Sequence, residues 1–223
     1  MRRGQPRNTK VGELHALPAL CGPSLESAYL LGFLWADGRL QRGGYRVGAE
    51  IGRTDLDEIA PVFLSTGAWA VDYRSRVGKR PQGTIHIHNK PFHEFLAHLG
   101  FMEKSRRPAT AVLRHLPADL RFMWWRGFFD GDGCLYQNRT TCQLVFTGHH
   151  DQDWAFVEDL PHPGTVRRVI TSRGHRFSQL RFTSRPTITE ILQFMYPVGG
   201  PDFGLSRKRQ KAATFIQVMP SSA

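Results

Sequence analysis

The sequence contains few cysteines and no long apolar run. Its three cysteines, Cys21, Cys134 and Cys142, form no CxxC pair, which argues against a zinc site or a disulfide framework and fits a reducing compartment. No apolar stretch reaches the roughly 18 residues of a membrane-spanning helix. The basic start, residues 1–10, lacks the apolar core of a secretion signal. These absences predict an intracellular protein, in the cytoplasm or in an organelle.

Acidic residues are scarce relative to basic ones. The chain holds 30 Lys and Arg against 19 Asp and Glu, which gives a net charge of +11. The excess is spread along the whole sequence, and this predicts a broad basic surface with a polyanionic partner. The alternative, on composition alone, is a soluble basic protein without a polyanionic partner.

Two short segments of the chain are near-copies of each other. Residues 30–38 read LLGFLWADG and residues 125–133 read WRGFFDGDG, so Asp132 follows Asp37 by 95 residues (132 − 37). A repeat at this spacing predicts two copies of one domain-sized unit. If the two segments pack together, their carboxylates lie side by side. Such a pair is unfavourable without positive charge between them, and divalent cations with oxygen ligands would supply it.

Small residues recur at helical spacing within both segments. Gly32 and Ala36 lie four apart, as do Gly127 and Gly131, so each pair occupies one helical face. Small residues on facing sides let two helix backbones approach closely. The alternative for each segment alone is a tight helix pair without a catalytic role.

Hydrophobic periodicity and turn residues predict the same order of elements in both halves. The first half is predicted to contain a helix ending near Asp37, a hairpin over residues 39–53, a helix from Thr54 or Asp55 through Leu64, strands over 71–77 and 84–88, and a helix over 91–100. The second half is predicted to contain a helix ending near Asp132, strands over 134–139 and 141–147, a helix over 154–160, a hairpin over 165–183 and a helix over 186–195.

The two segments resemble the LAGLIDADG motif of homing endonucleases, and the lengths between them fit that family. Two positions depart from the motif: Trp35 replaces its first acid, and Arg126 stands where a small residue is usual. Neither position carries metal in the family. The resemblance implies an α/β (mixed α+β) fold of two pseudo-symmetric αββαββα repeats, whose antiparallel sheets form a saddle over DNA. The expected division is a flexible basic arm (1–22), a first repeat (23–104), a linker (105–117), a second repeat (118–212) and a tail (213–223).

The resemblance also implies a chemistry. Asp37 and Asp132, with the backbone carbonyls of Ala36 and Gly131, are expected to bind Mg²⁺ beside the scissile phosphates. Mn²⁺ would substitute, and Ca²⁺ would bind without supporting cleavage. Asp130 is expected to be a helix-end residue rather than a ligand.

Each half ends in a basic segment, residues 101–107 and 204–212. In the family a lysine at this place points at each active site, so the resemblance assigns catalytic roles to Lys104 and Lys208. The alternative for such segments is a solvated surface.

The strands are the expected recognition elements, because a two-stranded ribbon fits the major groove of DNA. The expected DNA-binding residues are Arg39, Arg42, Arg46, Arg53, Arg74, Arg76, Lys79, Arg80, His86, His88, Arg139, Arg167, Arg168, Arg173, Arg176, Gln179 and Arg181. His86 and His88 share one face, but no third ligand is evident, so DNA or solvent is the preferred partner over a metal. Whether each arginine reads a base or holds a phosphate stays open.

The resemblance implies an intron-encoded endonuclease that acts as a monomer on a long asymmetric site. Such an enzyme cuts both DNA strands and leaves short 3′ overhangs. Two alternatives use the same scaffold: an RNA maturase and a non-cleaving DNA-binding protein. The presence of both aspartates disfavours the non-cleaving protein, whereas the sequence leaves the maturase open.

Overall fold

A computed structural model describes residues 20–74 and 81–217. Its helices are α1 (Leu25–Asp37), α2 (Arg53–Thr66), α3 (Lys90–His98), α4 (Thr110–His115), α5 (Arg121–Asp132), α6 (Arg185–Met195) and α7 (Ser206–Gln217). Its strands are β1 (Gly38–Leu40), β2 (Arg46–Gly52), β3 (Ala70–Arg74), β4 (Gln82–His88), β5 (Gly133–Gln137), β6 (Cys142–His149), β7 (Thr165–Ile170) and β8 (Arg176–Phe182). Within these ranges, no helix combines the length and apolarity needed to cross a membrane.

The strands form two four-stranded antiparallel sheets with the same topology. The first sheet has the order β1-β2-β4-β3, and the second has the order β5-β6-β8-β7. Each sheet follows a motif helix directly, because β1 begins at Gly38 and β5 begins at Gly133. The predicted mixed α/β fold of two similar halves is therefore confirmed. We call α1 through the turn at Lys104 the first repeat, and α5 through α7 the second repeat.

Helix α1 begins and ends at residues that suit those positions. The Ser24 hydroxyl accepts a hydrogen bond from the Ser27 backbone N–H, and the Ser27 hydroxyl accepts one from the Ser24 N–H, a reciprocal capping box. At the other end the backbone of Gly38 is extended, and the same is true of Gly133 after α5. Both motif helices therefore end at the aspartate, and the next residue begins a strand.

The core lies around the two motif helices, which pack against each other and against one face of each sheet. All four of Tyr29, Phe33, Trp124 and Trp125 are fully buried. In the second repeat the Phe128 and Phe146 rings stack with centroids 5.6 Å apart. Because each sheet buries only one face, the other face stays open.

The second repeat departs from the predicted order at one element. Residues Ala155–Asp159 form a short 3-10 helix rather than an α-helix. The Asp153 carboxylate accepts a hydrogen bond from the Ala155 N–H at its start, and Pro161 and Pro163 follow closely. Prolines remove backbone donors and resist helical continuation, so only a short turn fits before β7.

Two helices were not predicted. The first, α4, lies within the expected linker. The second, α7, covers most of the basic segment 204–212 and continues through Gln217. Its buried residues are Lys208, Ala212 and Phe215, a spacing of four and three that is typical of one helical face. The expected boundary at residue 212 falls inside this helix.

Candidate active site

The motif helices α1 and α5 touch through their small residues. A Cβ atom built on Gly127 would overlap the Tyr29 carbonyl oxygen and lie 2.8 Å from the Phe33 nitrogen. One built on Gly32 would lie 2.7 Å from the Trp124 carbonyl carbon. The backbones are thus in direct contact, which confirms the packing that the glycine spacing predicted.

This close approach brings Asp37 and Asp132 together. A Cβ built on Gly131 would lie 3.5 Å from Asp37 Oδ2, so the Asp37 carboxylate reaches the end of the opposite helix. Burial, together with the nearby Asp37 carboxylate, raises the pKa of Asp132 to about 6 against the lowering effect of Lys104 and Lys208. Burial also raises the pKa of Asp37. For both carboxylates, the positive charges of the protein are therefore too weak to offset the unfavourable effect of burial on the charged form.

The Lys104 ammonium group closes the C-terminal end of α1. Its Nζ donates to the carbonyl oxygens of Leu34 (3.1 Å), Trp35 (2.8 Å), Ala36 (2.8 Å) and Gly38 (2.7 Å). Burial lowers the pKa of Lys104 to about 8, against the opposite effect of the Asp132 and Asp37 carboxylates. A cation at a helix C-terminus interacts favourably with the helix dipole.

Lys208 occupies the corresponding place at the end of α5. Its Nζ donates to the carbonyl oxygens of Phe129 (2.6 Å), Asp130 (2.8 Å) and Gly133 (2.8 Å). Burial lowers its pKa to about 8, and Asp130 acts in the opposite direction. The two lysines thus occupy pseudo-symmetric positions.

Each lysine is held in place by a contact three residues before it. In the first repeat, Trp35 packs edge-on against Phe101, with ring centroids 4.9 Å apart. At the equivalent position in the second repeat, the Asp130 carboxylate accepts a hydrogen bond from the Leu205 N–H at 2.9 Å. The departure at Trp35 therefore replaces a polar anchor by an apolar one.

Asp130 is buried at the contact between the two motif helices. Besides the Leu205 N–H, its carboxylate accepts a hydrogen bond from the Tyr29 hydroxyl at 2.8 Å, which ties the two motif helices together. Burial raises its pKa, and these hydrogen bonds lower it.

The other departure, Arg126, also has a structural partner. Its guanidinium is buried, donates to the carbonyls of Pro201 and Phe203, and lies over the Tyr196 ring. It thus fixes the segment that leads into α7. No sequence pattern indicated this contact, because Arg126 and Phe203 are 77 residues apart.

The arrangement could hold divalent metal through few ligands from the protein. Among residues 20–74 and 81–217, no three His, Cys, Asp or Glu side chains cluster as a metal site. The two aspartates stand beside the carbonyls of Ala36 and Gly131, and oxygen donors of this kind suit Mg²⁺. The Ala36 carbonyl already accepts a hydrogen bond from Lys104, but a carbonyl oxygen has two lone pairs. Water and a substrate phosphate would complete the coordination.

The unpacked side of the first sheet forms a polar surface, which we call the first open face. By strand register and alternating burial it carries Arg39, Arg46, Gly48, Glu50, Asp72, Arg74, Thr84, His86 and His88. A cleft of about 380 Å³ lies among Arg39, Arg46, Thr84 and His86. His86 Nδ1 lies 3.6 Å from an Asp72 oxygen, and the His86 and His88 rings meet edge to face.

The remaining basic residues predicted for the first repeat have other positions. Arg42 lies in the β1–β2 turn. Arg53 begins α2, and its guanidinium lies over the Tyr73 ring, away from the first open face. Arg76, Lys79 and Arg80 fall outside the described residues.

The open face of the second sheet carries fewer arginines than the first open face, and its strands contain no carboxylate. It carries Cys134, Tyr136, Gln143, Val145, Thr147, His149, Thr165, Arg167, Val169, Phe177, Gln179 and Arg181. Arg181 donates to the Gln143 side-chain oxygen at 2.6 Å. This second open face therefore mixes polar, aromatic and aliphatic side chains.

The register separates the arginines predicted for the second repeat. Arg168 pairs with the buried Ser178, so it alternates to the opposite side from Arg167. Arg176 likewise lies on that opposite side. The period-two alternation of a strand makes this separation unavoidable, and neither residue lies on the second open face. Arg139 and Arg173 are exposed in the β5–β6 and β7–β8 turns.

Several solved structures share this fold over most of the chain. The meganuclease I-SmaMI bound to uncleavable DNA with a TTGT central four gives a TM-score of 0.55 at 13% sequence identity, covering 86% of this chain and 90% of that chain. The LAGLIDADG homing endonuclease I-GzeII in complex with its DNA target gives 0.52 at 10% identity, covering 88% and 90%. Full-length DUF199/WhiA from Thermatoga maritima gives 0.51 at 13% identity, covering 96% of this chain and 68% of that chain.

No family model and no curated protein matches the sequence. At these identities the similarity to solved structures is one of fold. The chain adopts the LAGLIDADG fold, as the two motifs predicted.

Proposed function

We propose that the protein is a site-specific endonuclease that binds double-stranded DNA and hydrolyses one phosphodiester bond in each strand with Mg²⁺. The observation that carries the proposal is the pair of carboxylates at the contact between α1 and α5. Burial raises the pKa of both Asp37 and Asp132, and both stand at helix C-termini, where anions are disfavoured. Bound cations would reverse both effects.

In the proposed reaction, Asp37 and Asp132 would hold the metal together with the carbonyls of Ala36 and Gly131. When bound, Mg²⁺ would polarise a phosphoryl oxygen and lower the pKa of a bound water. Lys104 and Lys208 keep the two helix ends in register with the phosphates. With pKa values of about 8, their ammonium groups can also exchange a proton near neutral pH, which an ordinary lysine does poorly.

The two open faces are the proposed DNA-binding surfaces of a saddle. They carry Arg39, Arg46, Arg74 and the two histidines on one side, and Arg167, Gln179 and Arg181 on the other. Among the described residues, the Thr84 hydroxyl, His86 Nδ1 and Arg181 Nε are shielded and lack a hydrogen-bond partner. Polar groups without partners are unfavourable, and DNA that displaced the shielding side chains would give these groups partners.

Because the two open faces carry different side chains, they are proposed to bind two different half-sites of the DNA target. A single chain carrying both repeats therefore acts as a monomer on a long asymmetric target, and the cuts leave short 3′ overhangs. Both I-SmaMI and I-GzeII have been crystallised with DNA, which supports the same use of the scaffold here.

The test is selection of cleaved sites from a randomised duplex library with Mg²⁺. The proposal predicts enrichment of one long asymmetric sequence and ends with short 3′ overhangs. Binding without cleavage would contradict it and favour a non-cleaving DNA-binding protein. Binding of structured intron RNA in preference to duplex DNA would favour a maturase.

A further inference from the structure

The segment that carries Lys208 is attached to the first repeat. At the start of α7, the Ser206 N–H donates to Glu58 Oε2 at 2.6 Å. The next residue, Arg207, donates through Nε and a terminal nitrogen to the two oxygens of Asp55, at 3.0 and 2.6 Å. Asp55 and Glu58 both belong to α2. Two adjacent residues before Lys208 are therefore fixed by the opposite repeat.

The segment that carries Lys104 is attached to the second repeat. The Gln152 side-chain amide donates to the Arg107 carbonyl at 3.2 Å and to the Asp153 carbonyl at 3.0 Å. Gln152 is 6% exposed, so this amide is a buried contact. Arg107 belongs to the same turn as Lys104, because its N–H donates to the Glu103 carbonyl at 3.0 Å.

The two attachments come from equivalent places in the repeats. Adding the motif offset of 95 to Asp57, which lies between Asp55 and Glu58, gives position 152. Each contact therefore begins at the residues that follow the second strand of its sheet, and each ends within three residues of the lysine of the other repeat.

We propose that each repeat positions the active-site lysine of the other repeat, through Asp55 and Glu58 for Lys208 and through Gln152 for Lys104. The inference rests on the proposed nuclease function. These three are positioning residues, because each acts through another residue of the lysine's segment. Asp55 holds the Arg207 side chain, Glu58 holds the Ser206 N–H, and Gln152 holds the Arg107 carbonyl. Because each repeat positions the lysine of the other, the cuts in the two DNA strands are coupled. A change in one repeat displaces the lysine at the other centre.

Small displacements matter at such a site. Each ammonium group donates to three or four carbonyls at 2.6–3.1 Å, and a misplacement near 1 Å can slow a reaction roughly 100-fold. The Asp55 and Arg207 side chains are 26% and 56% exposed. A pair this exposed contributes little to stability, so its loss should leave the protein folded.

The experiment measures the cleavage rate of each strand separately. The duplex is the target obtained by selection, labelled on one strand or the other, with saturating enzyme and Mg²⁺. We expect Asp55→Asn and Gln152→Ala each to slow one strand on the order of 10-fold more than the other, and the affected strands to be opposite. The dissociation constant for DNA in Ca²⁺ should stay unchanged, because neither residue lies on an open face.

The matched control is Asp202→Asn. It removes the ion pair of Asp202 with Arg209, which also involves α7 but lies within the second repeat, and should leave the ratio of strand rates unchanged. The double variant Asp55→Arg with Arg207→Asp should restore the slowed strand, because it reverses the pair without losing it.

The inference is overturned if the parent cuts both strands while Asp55→Asn and Gln152→Ala slow them equally, slow the same strand or only weaken binding. A parent protein that cuts no DNA overturns the proposed function, and the inference with it.

Discussion

Four charged side chains meet where the motif helices end. Asp37 and Asp132 supply two negative charges, and Lys104 and Lys208 supply two positive ones, yet burial shifts all four toward their neutral forms. Such a site opposes folding unless a ligand completes it. Catalytic sites commonly carry this kind of shifted titration.

At the residue scale, we predict that Asp132→Asn raises the melting temperature at pH 7.5 without divalent cations. The pKa of Asp132 is raised from 3.8 to about 6 in the folded state, so the folded protein binds this proton more tightly than the unfolded chain does. The stabilisation by the bound proton is fully present below pH 3.8 and is lost as pH rises through about 6. Above that pH the charged carboxylate destabilises the fold, by up to about 3 kcal/mol. Thermal unfolding should show a gain of several degrees that shrinks below pH 6.

The control for this measurement is Asp119→Asn, which removes an exposed carboxylate and should leave the melting temperature nearly unchanged. A lower melting temperature for Asp132→Asn at pH 7.5 would contradict the account, because it would mean that the charged carboxylate is well compensated within the protein.

The sequence predicted some residues of the site and missed others for a physical reason. The aspartates and the motif glycines were predictable because they recur within one short phrase. The Tyr29–Asp130 hydrogen bond joins residues 101 positions apart. Such a pair depends on how two elements pack against each other, and the local periodicity of the sequence does not predict it.

At the element scale, the contact between α1 and α5 depends on the absence of side chains. A Cβ on Gly127 or Gly32 would overlap the facing backbone, and backbone atoms cannot rotate away. The same contact fixes the separation of Asp37 and Asp132, so helix packing and the geometry of the candidate site are one property of this fold.

We predict that Gly127→Ala destabilises the protein and that Gly52→Ala does not. A Cβ on Gly127 meets the Tyr29 carbonyl, whereas one on Gly52 meets nothing within 4 Å. Overpacking costs roughly 1–3 kcal/mol, which unfolding in urea would detect. Gly127→Leu should impair cleavage more than Phe129→Leu, which mainly removes buried volume. Parent-like melting and cleavage by Gly127→Leu would mean that the helices do not meet at this face.

Two elements show where sequence patterns are insufficient. Helix α7 has its buried stripe at Lys208, Ala212 and Phe215, but the surrounding basic residues obscured it. The helix predicted at residues 154–160 is a 3-10 turn, because prolines follow it and shorten the space before β7. In both segments the sequence showed which apolar residues are buried. The type of helix depended on the neighbouring residues and was not predicted.

At the scale of the whole molecule, the two open faces differ in charge. The first carries Arg39, Arg46 and Arg74 together with Glu50 and Asp72, whereas the second carries Arg167 and Arg181 and no carboxylate. Phosphate contacts by basic residues make binding sensitive to salt. If every one of these arginines contacts a phosphate, the half-site bound by the first open face, with three arginines against two, should lose more affinity as salt rises.

We predict that Arg74→Ala weakens DNA binding and that Arg168→Ala leaves it nearly unchanged. Both arginines are exposed strand residues, but only Arg74 lies on an open face. If Arg74 contacts a phosphate, its loss should reduce the slope of log K against log salt by about 0.9. Titrations at several salt concentrations measure this slope. Equal losses for the two variants would contradict the assignment of faces.

The overall architecture was predictable because both halves of the sequence carry the same pattern of helices and strands. The order of elements predicted from each half was the same, and the identical sheet topologies confirm it. The contacts between the repeats were not predictable, because Asp55, Glu58 and Gln152 meet the lysine segments only after both repeats have formed.

The central claim is that Asp37 and Asp132 hold the metal that cleaves DNA. The most direct measurement is cleavage of the selected target by Asp37→Asn and Asp132→Asn in Mg²⁺, with binding measured in Ca²⁺. The account predicts that each variant loses double-strand cleavage while binding DNA with nearly the parent's affinity, because neither carboxylate contacts a base. Cleavage at the parent's rate by either variant would contradict it.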